Sequence, residues 1–157
     1  MIQLTERGLI AHSETTVAEF EGIRLVSVRD AASGEEFLDR AAGEKTPGFE
    51  LLRQNGKTAA LGVHPLASKV TYHLLSENIA EIVLNDWECD LSVRLSVDAA
   101  TGDILVEPSA WTMQGGVAGL GWVVSGLRAD LQVVAPLQQG ARLPPDHPQI
   151  AGKLANW

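Results

Sequence analysis

Residues 90–111, with the sequence DLSVRLSVDAATGDILVEPSAW, constrain the fold of this chain more than any other stretch. Apolar and polar residues alternate on both sides of the polar segment 98–103, and this period of two is typical of half-buried strands. Asp98 and Gly102 within the segment favour a tight turn. The stretch therefore predicts an antiparallel hairpin with one buried face. The side chains predicted to face the core are Leu91, Val93, Leu95 and Val97.

The remainder of the chain shows the same short-strand pattern, which sets the fold class. Turn-forming residues separate apolar-rich runs about every 8–12 residues, as in β-sandwiches, and Asn55-Gly56 marks a second hairpin. The sequence has little sustained 3.6-residue period and no repeat of fixed length, which disfavours helical folds, propellers and solenoids. We therefore predict an all-β fold, an antiparallel β-sandwich with few or no helices, over residues 1–140. Residues 141–157 contain three prolines and are predicted to be an irregular tail.

Several further local elements follow from alternation and composition. Residues 35–39 are predicted to form a short strand, and residues 40–48 a loop. The glycine-rich segment 114–121 is predicted to be a loop or a bent strand. The next strand is predicted at residues 122–125.

Charge and composition restrict the partners of the chain. Its 157 residues suffice for one domain with a sizeable core. It carries 20 acidic against 12 basic residues, a net charge of −8, and its basic residues are scattered. Nucleic acids and anionic membranes both require local positive charge, so neither is expected as a partner.

The two ends of the chain bear on its location and extent. The N-terminal sequence MIQLTERGLIAHSE lacks the basic and apolar regions of a signal peptide, and no apolar run approaches the roughly 18 residues of a membrane span. A cytoplasmic location is the default expectation, although a chain that had lost an export signal would read the same. The ending Ala155-Asn156-Trp157 has no polar terminator, which predicts that residues 141–157 lead into a downstream domain.

Motifs for catalysis, cofactors and metals are absent from the sequence. It contains no nucleophile-elbow, dinucleotide-binding or phosphate-loop pattern, and its four histidines lack metal-binding spacing. Asp86, Glu88 and Asp90 alternate along one side of a predicted strand, where a solvated sheet face is favoured over a cation site. Cys89, the single cysteine, is expected to be a small buried apolar residue, because its acidic neighbours disfavour a thiolate. No cofactor, metal or catalytic residue is predicted.

The tryptophans are the main candidates for ligand binding. Indole rings pack against the apolar faces of sugars, but tryptophan in a β-protein is commonly part of the core. We expect Trp122 in the core, whereas Trp87 and Trp111, at predicted strand ends, fit core and surface equally well. The residues predicted to contact carbohydrate are Trp87, Trp111, His73, Arg94 and Glu107. The last three of these lie on the predicted polar faces of their strands.

The segment 23–39, IRLVSVRDAASGEEFLD, resembles the opening hairpin of the galactose-mutarotase-like super-sandwich family. Its turn has the form D-x-x-[ST]-G-x-x-[FY]-L. The residues that match this form are Asp30, Ser33, Gly34, Phe37 and Leu38. The hairpin 91–106 is similar to the long central strands of that sandwich, and the segment 130–140 is similar to a late strand with its exit loop.

The family forms stand-alone sugar epimerases and the N-terminal domains of many glycoside hydrolases. The resemblance therefore implies a non-catalytic β-sandwich domain of a carbohydrate-active protein, which supports or binds carbohydrate beside a downstream catalytic domain. A small epimerase or mutarotase is one alternative, with His64 or His73 as the acid and Glu107 as the base, but the resemblance transfers no catalytic residue. An assembly domain that pairs exposed strand edges between subunits is the other alternative.

Overall fold

A computed structural model describes residues 1–43, 47–63, 69–135 and 141–147 of the chain. Short alternating runs separated by tight turns make strands the main regular structure of this part, with thirteen strands and the single-turn helix α1 (Arg40–Gly43). The strands are β1 (Ile2–Leu4), β2 (Gly8–His12), β3 (Thr16–Glu21), β4 (Arg24–Asp30), β5 (Phe49–Arg53), β6 (Thr58–Ala60), β7 (Lys69–Ser76), β8 (Ile79–Asn85), β9 (Asp90–Val97), β10 (Ile104–Trp111), β11 (Val117–Trp122), β12 (Val133–Ala135) and β13 (Ala141–Leu143).

The strands form four sheets within the described residues. The first sheet has the order β1-β2-β3-β4 and the second has the order β10-β9-β8-β7, so each is a meander of consecutive strands. The third sheet has the order β11-β5-β6, and β12 pairs with β13. All pairings are antiparallel. The prediction of an all-β, antiparallel, sandwich-like fold is confirmed.

The core lies between the inner faces of the first three sheets. In β9 the four side chains predicted to be buried are at most 9% exposed, and they are Leu91, Val93, Leu95 and Val97. They belong to one buried cluster with residues of the first and third sheets, among them Leu9, Phe20, Phe49 and Leu51. Because alternate residues of β9 point into this cluster, the intervening ones point away from the core.

The turn of the β9–β10 hairpin forms as its sequence predicts. The Asp98 amide donates to the Asp103 carbonyl at 2.9 Å, and the Asp98 carboxylate accepts the Ala100 amide at 2.7 Å. Gly102 has a φ of +75°, which favours glycine over residues with a Cβ. The turn therefore sets the register in which Glu107 lies opposite Arg94.

Two hydrogen bonds join the first and second sheets at one edge. The Ile2 amide donates to the Glu77 carbonyl at 2.5 Å, and the Tyr72 hydroxyl donates to the Arg7 carbonyl at 3.1 Å. β7 is thereby held beside the first sheet. β10 lies at the other edge of the second sheet, where β9 is its only partner among the described strands.

The segment that follows β4 differs from its prediction as a short strand. Residues 35–39 form only isolated bridges, between Arg29 and Glu36 and between Leu38 and Leu127. The Glu36 carboxylate accepts the amides of Val28 at 2.9 Å and Leu38 at 3.1 Å, and the Phe37 amide still donates to the Val28 carbonyl at 2.8 Å. Side-chain and backbone hydrogen bonds together hold this segment in place of a regular ladder.

Three other segments depart from their predictions. α1 begins the segment 40–48, which was expected to be a loop. No helix among the described residues is long and apolar enough to span a membrane. Residues 123–125, expected to lie in a strand, form none, because β11 ends at Trp122. β11 is the bent-strand alternative for the glycine-rich segment, where a register shift against β5 accommodates the glycines. β13 adds a short strand at the start of the tail.

Candidate functional site

The solvent-facing side of the second sheet carries most of the residues predicted to bind a ligand. We call this side the outer face. Its first row across β10, β9, β8 and β7 consists of Trp111, Asp90, Asn85 and Lys69. Its second row consists of Ser109, Ser92, Val83 and Thr71. Its third row consists of Glu107, Arg94, Glu81 and His73.

The third row brings together three predicted site residues from three different strands. Directly opposed residues of antiparallel strands have Cβ atoms about 4.5–5.5 Å apart, so Arg94 lies between two carboxylates. Arg94, Glu107 and His73 are all exposed. No side-chain hydrogen bond or ion pair engages any of these three within the described part of the chain. Their polar atoms are therefore available to a ligand.

Two exposed tryptophans lie at one end of the outer face. Trp111 is 63% exposed and points to the same side as Glu107, because four residues separate them along β10. Trp87 is 79% exposed and lies in the turn that joins β8 to β9. Both side chains are therefore on the surface, which answers the question that the sequence left open.

A polar cluster holds the segments that flank the tryptophans. Arg53, at the end of β5, forms an ion pair with Glu88 and donates to Gln114 Oε1 at 2.9 Å. Gln114 Nε2 donates to the Trp87 carbonyl at 3.1 Å, and Thr112 Oγ1 donates to the Glu88 carbonyl at 2.8 Å. We call these contacts the Arg53 cluster. It ties the β8–β9 turn to the segment that follows β10.

The three acids around Trp87 do not alternate along one strand, which corrects the prediction. Asp86 and Glu88 lie in the turn, and only Asp90 lies in β9. The Asp86 carboxylate accepts two backbone amides at 3.0 Å each, Glu88 pairs with Arg53, and Asp90 accepts the Asn85 amide group at 2.8 Å. Across the described ranges, no three His, Cys, Asp or Glu residues are grouped to hold a metal ion.

Cys89 is buried, as predicted, with 4% of its surface exposed. Burial raises the pKa of its thiol to about 11, and the negative charges of Asp86, Asp90 and Glu88 add to this shift. The thiol is therefore protonated at neutral pH. Its surroundings disfavour the thiolate that a nucleophile or a metal ligand requires.

The prediction that Trp122 belongs to the core is wrong. One face of its ring stacks on buried Phe49 at 6.3 Å between centroids, but 41% of the residue is exposed because β11 is an edge strand. Trp122 borders a recess of about 250 Å³ together with Ile104 and Val106. Those residues belong to the inner side of β10, so Trp122 is not part of the outer face.

Sequence reasoning identified four residues that the structure groups on the outer face, and Trp87 beside them. It missed Glu81, which lies between Arg94 and His73 and accepts the Ser92 hydroxyl at 2.6 Å. The alternation of Glu81 with apolar neighbours in β8 is the signal that could have placed it on this face. His64 lies outside the described residues.

The outer face is an open surface that lies apart from two larger recesses. One recess of about 570 Å³ is bordered by Arg7, Glu21 and Leu61, and another of about 560 Å³ by Arg53, Lys57 and Glu88. Neither is lined by Trp111, Arg94 or Glu107. Because Trp111, Arg94 and Glu107 are exposed on one side of a sheet, a ligand that contacts them would keep its other side in solvent.

Comparisons with models of known protein families, with curated proteins and with solved structures give no match for this chain. The resemblance to the galactose-mutarotase-like family therefore stays a prediction that rests on the turn and strand patterns of the sequence.

Proposed function

We propose that this chain is a non-catalytic β-sandwich domain that binds carbohydrate through its outer face. One observation carries the proposal: the exposed ring of Trp111 shares a rigid sheet face with the exposed, unpaired charges of Arg94 and Glu107. Trp87 adds a second exposed ring beside that face. A supporting role beside a downstream glycoside hydrolase domain is part of the proposal and derives from the family resemblance.

The chemistry of these groups suits a sugar. A pyranose ring has an apolar face of C–H groups, which packs against an aromatic ring, and an edge of hydroxyls, which both donate and accept hydrogen bonds. Trp111 offers the ring, Arg94 offers only donors and Glu107 only acceptors. A sheet that is buried on its other side holds these groups at fixed separations, which lowers the entropy cost of binding.

The spacing on the outer face disfavours His73 and Glu107 as the acid and base of an epimerase. His73 on β7 and Glu107 on β10 are three strand separations apart, about 14 Å between backbones. A general acid and a general base must each reach the same sugar within hydrogen-bond distance. This pair therefore does not fit the acid and base of an epimerase.

Isothermal titration calorimetry against soluble β-glucan, xylan, mannan and starch tests the proposal. At least one of these polysaccharides is expected to bind with a heat that saturates and to change the tryptophan emission. In Trp111→Ala the affinity is expected to fall by at least about tenfold, since aromatic anchors dominate such interfaces. No heat and no emission change with any of the four would contradict the proposal.

A control variant shows whether a reduced affinity comes from the loss of an outer-face contact or from a general loss of structure. Trp122→Phe changes a partly exposed aromatic residue at the end of β11, which borders the inner side of β10 and not the outer face. Its affinity is expected to equal that of the original chain. An equal loss in both variants would point to indirect effects and would count against the outer face as the site.

An assembly domain is the second candidate, and one observation favours it. Trp87 in the β8–β9 turn, Trp111 at the end of β10 and Met113 just after it are all exposed, in segments that the Arg53 cluster holds together. Exposed apolar clusters also mark protein interfaces. Light scattering during size-exclusion chromatography separates the two functions. A dimer that Trp111→Ala dissociates would favour assembly, whereas a monomer that binds polysaccharide would favour the first proposal.

A further inference from the structure

The outer face also indicates the size and charge class of its ligand. We infer, on the basis of the proposed function, that the ligand is a neutral glycan chain of several sugar units that lies along β9 and β10. It extends from Trp111 at one end to the Arg94 and Glu107 pair at the other. A single sugar would fill only part of this site.

The length of the ligand follows from the strand geometry. Trp111 and Glu107 lie on the same face and are separated by four residues of β10. At about 3.4 Å per residue their side chains stand roughly 14 Å apart. One pyranose ring cannot cover an aromatic contact and a charged contact at that separation, so contact with both ends requires a chain.

The surface between the two ends leaves room for such a chain. The intervening row presents Ser109 on β10 and Ser92 on β9, both with small side chains. The Ser92 hydroxyl donates to Glu81, whereas Ser109 is exposed and its side chain has no hydrogen-bond partner in the described ranges. The two serines therefore form a shallow track between taller side chains at either end.

The direction of the track runs along the strands and not across the sheet. Across the first row, the residues after Trp111 are Asp90, Asn85 and Lys69. Asn85 donates a hydrogen bond to Asp90. No other tryptophan of the described residues lies on β7, β8 or β9. The β9–β10 pair alone connects the indole ring to the unpaired charges.

The charges on the outer face favour a neutral glycan. Its three rows contain the acids Asp90, Glu81 and Glu107 against the bases Arg94 and Lys69. The whole chain carries a net charge of −8. Glycans rich in carboxylates or sulfates would be repelled by this balance, because like charges brought together disfavour association.

The experiment is a length series of whichever neutral polysaccharide binds in the first titration, from monosaccharide to hexasaccharide. Affinity is expected to rise by at least about tenfold between the disaccharide and the pentasaccharide and then to level off. An oligogalacturonide of matched length is expected not to bind. Tighter binding of the oligogalacturonide than of the neutral chain would contradict the inference that the ligand is neutral.

Two arginine substitutions in one row test the direction of the track. Ser109→Arg places a long side chain on the proposed track and is expected to lower hexasaccharide affinity by at least about tenfold. Thr71→Arg places the same side chain in the same row on the opposite edge of the sheet, and is expected to leave affinity unchanged. A loss of hexasaccharide affinity in Thr71→Arg without such a loss in Ser109→Arg would contradict the proposed position of the ligand along β9 and β10.

The outcomes separate this inference from the proposed function. Binding that depends on Trp111 but is equally tight for mono- and hexasaccharides would overturn the extended ligand and leave carbohydrate binding intact. The absence of binding at every length would overturn both.

Discussion

Glu36 shows how a single side chain organises a segment that lacks regular structure. Its carboxylate accepts the hydroxyl of buried Ser27 at 2.5 Å and the amides of Val28, Phe37 and Leu38. Burial alone would raise the pKa of Glu36, but the hydrogen bonds from Ser27 and the three amides outweigh it, and the pKa is lowered. The ionised form therefore stabilises the fold.

The pH dependence of stability follows from this lowered pKa. A carboxyl group whose pKa falls on folding contributes stability above its unfolded pKa, near 4.5, and this contribution is lost as the pH falls through the folded pKa. Glu36→Gln is expected to lower the free energy of unfolding at neutral pH by about 1–3 kcal/mol. Urea unfolding from about pH 6 to about pH 3 measures both effects, since the variant should lose less stability over that interval.

The matched control for this prediction is Glu14→Gln, at an exposed glutamate in a turn. It is expected to leave the acid limb of the stability curve unchanged. Equal pH dependence in Glu36→Gln and the original chain would contradict the role assigned to Glu36. Asp30 and Asp130 also have lowered pKa values, so part of the acid sensitivity should remain in every variant.

Gly8 gives a second prediction at the residue scale. A Cβ at this position in β2 would overlap the carbonyl oxygen of Phe20 on β3. Gly8→Ala is therefore expected to lower the free energy of unfolding by more than about 2 kcal/mol, because the two strands must separate locally. Gly115→Ala, whose added methyl meets no atom within 4 Å, is the control and should change stability little by the same urea assay.

At the scale of single residues, the sequence predicted burial better than exposure. The alternation in β9 identified its core side chains, and the acidic neighbours of Cys89 indicated an inert thiol. The exposure of Trp87 and Trp111 could not be derived, because a tryptophan at a strand end is buried or exposed according to which distant segments cover it. The partial exposure of Trp122 was missed for the same reason.

At the scale of elements, the Arg53 cluster connects β5 of the third sheet to the loops beside the candidate site. Arg53 extends from the end of β5 to Glu88 in the β8–β9 turn and to Gln114 after β10. The ion pair is mostly buried, with side-chain exposures of 18% and 29%. Two loops far apart in sequence are thus held by one guanidinium group.

Removing this guanidinium group should loosen both loops. Arg53→Ala is expected to lower the free energy of unfolding by about 1–2 kcal/mol, as for a hydrogen-bonded pair that water partly reaches. Hydrogen exchange of the backbone amides in residues 86–89 and 112–116 should quicken, while β9 stays protected. Lys57→Ala, at a neighbouring exposed base, is the control, and equal exchange in the two variants would contradict the role of Arg53.

Strands were predicted correctly where one face is buried. They were predicted incorrectly where turn formation or pairing with a neighbouring strand outweighed the local sequence pattern. The hairpin 90–111 was predicted because its apolar and polar residues alternate. The segment 86–89 was misread, since acidic and apolar residues alternate there within a turn. The strand expected at 122–125 was misplaced, because β11 ends at Trp122 and pairs with β5 through the glycine-rich segment before it. Pairing with β5 outweighs the weak strand propensity of those glycines.

At the scale of the whole molecule, the site arises from the register of the second sheet. Glu107, Arg94, Glu81 and His73 come from four strands, and only the pairing of those strands makes them one row. The sequence predicted the polar faces of Glu107, Arg94 and His73, but neither the place of Glu81 nor the common alignment of the four. Register depends on turn geometry and on the bulge in β7 near Leu74. Candidate residues were therefore predictable one by one, and the outer face was not.

The most direct test of the outer face uses the indole N–H signals of the tryptophans in a ¹H–¹⁵N NMR spectrum. Each signal is assigned with a tryptophan-to-phenylalanine variant, and the hexasaccharide of the polysaccharide that binds is then added. Carbohydrate binding on the outer face predicts that the signals of Trp111 and Trp87 shift, while that of Trp122 stays in place. A shift of Trp122 with no change at Trp111 would contradict it.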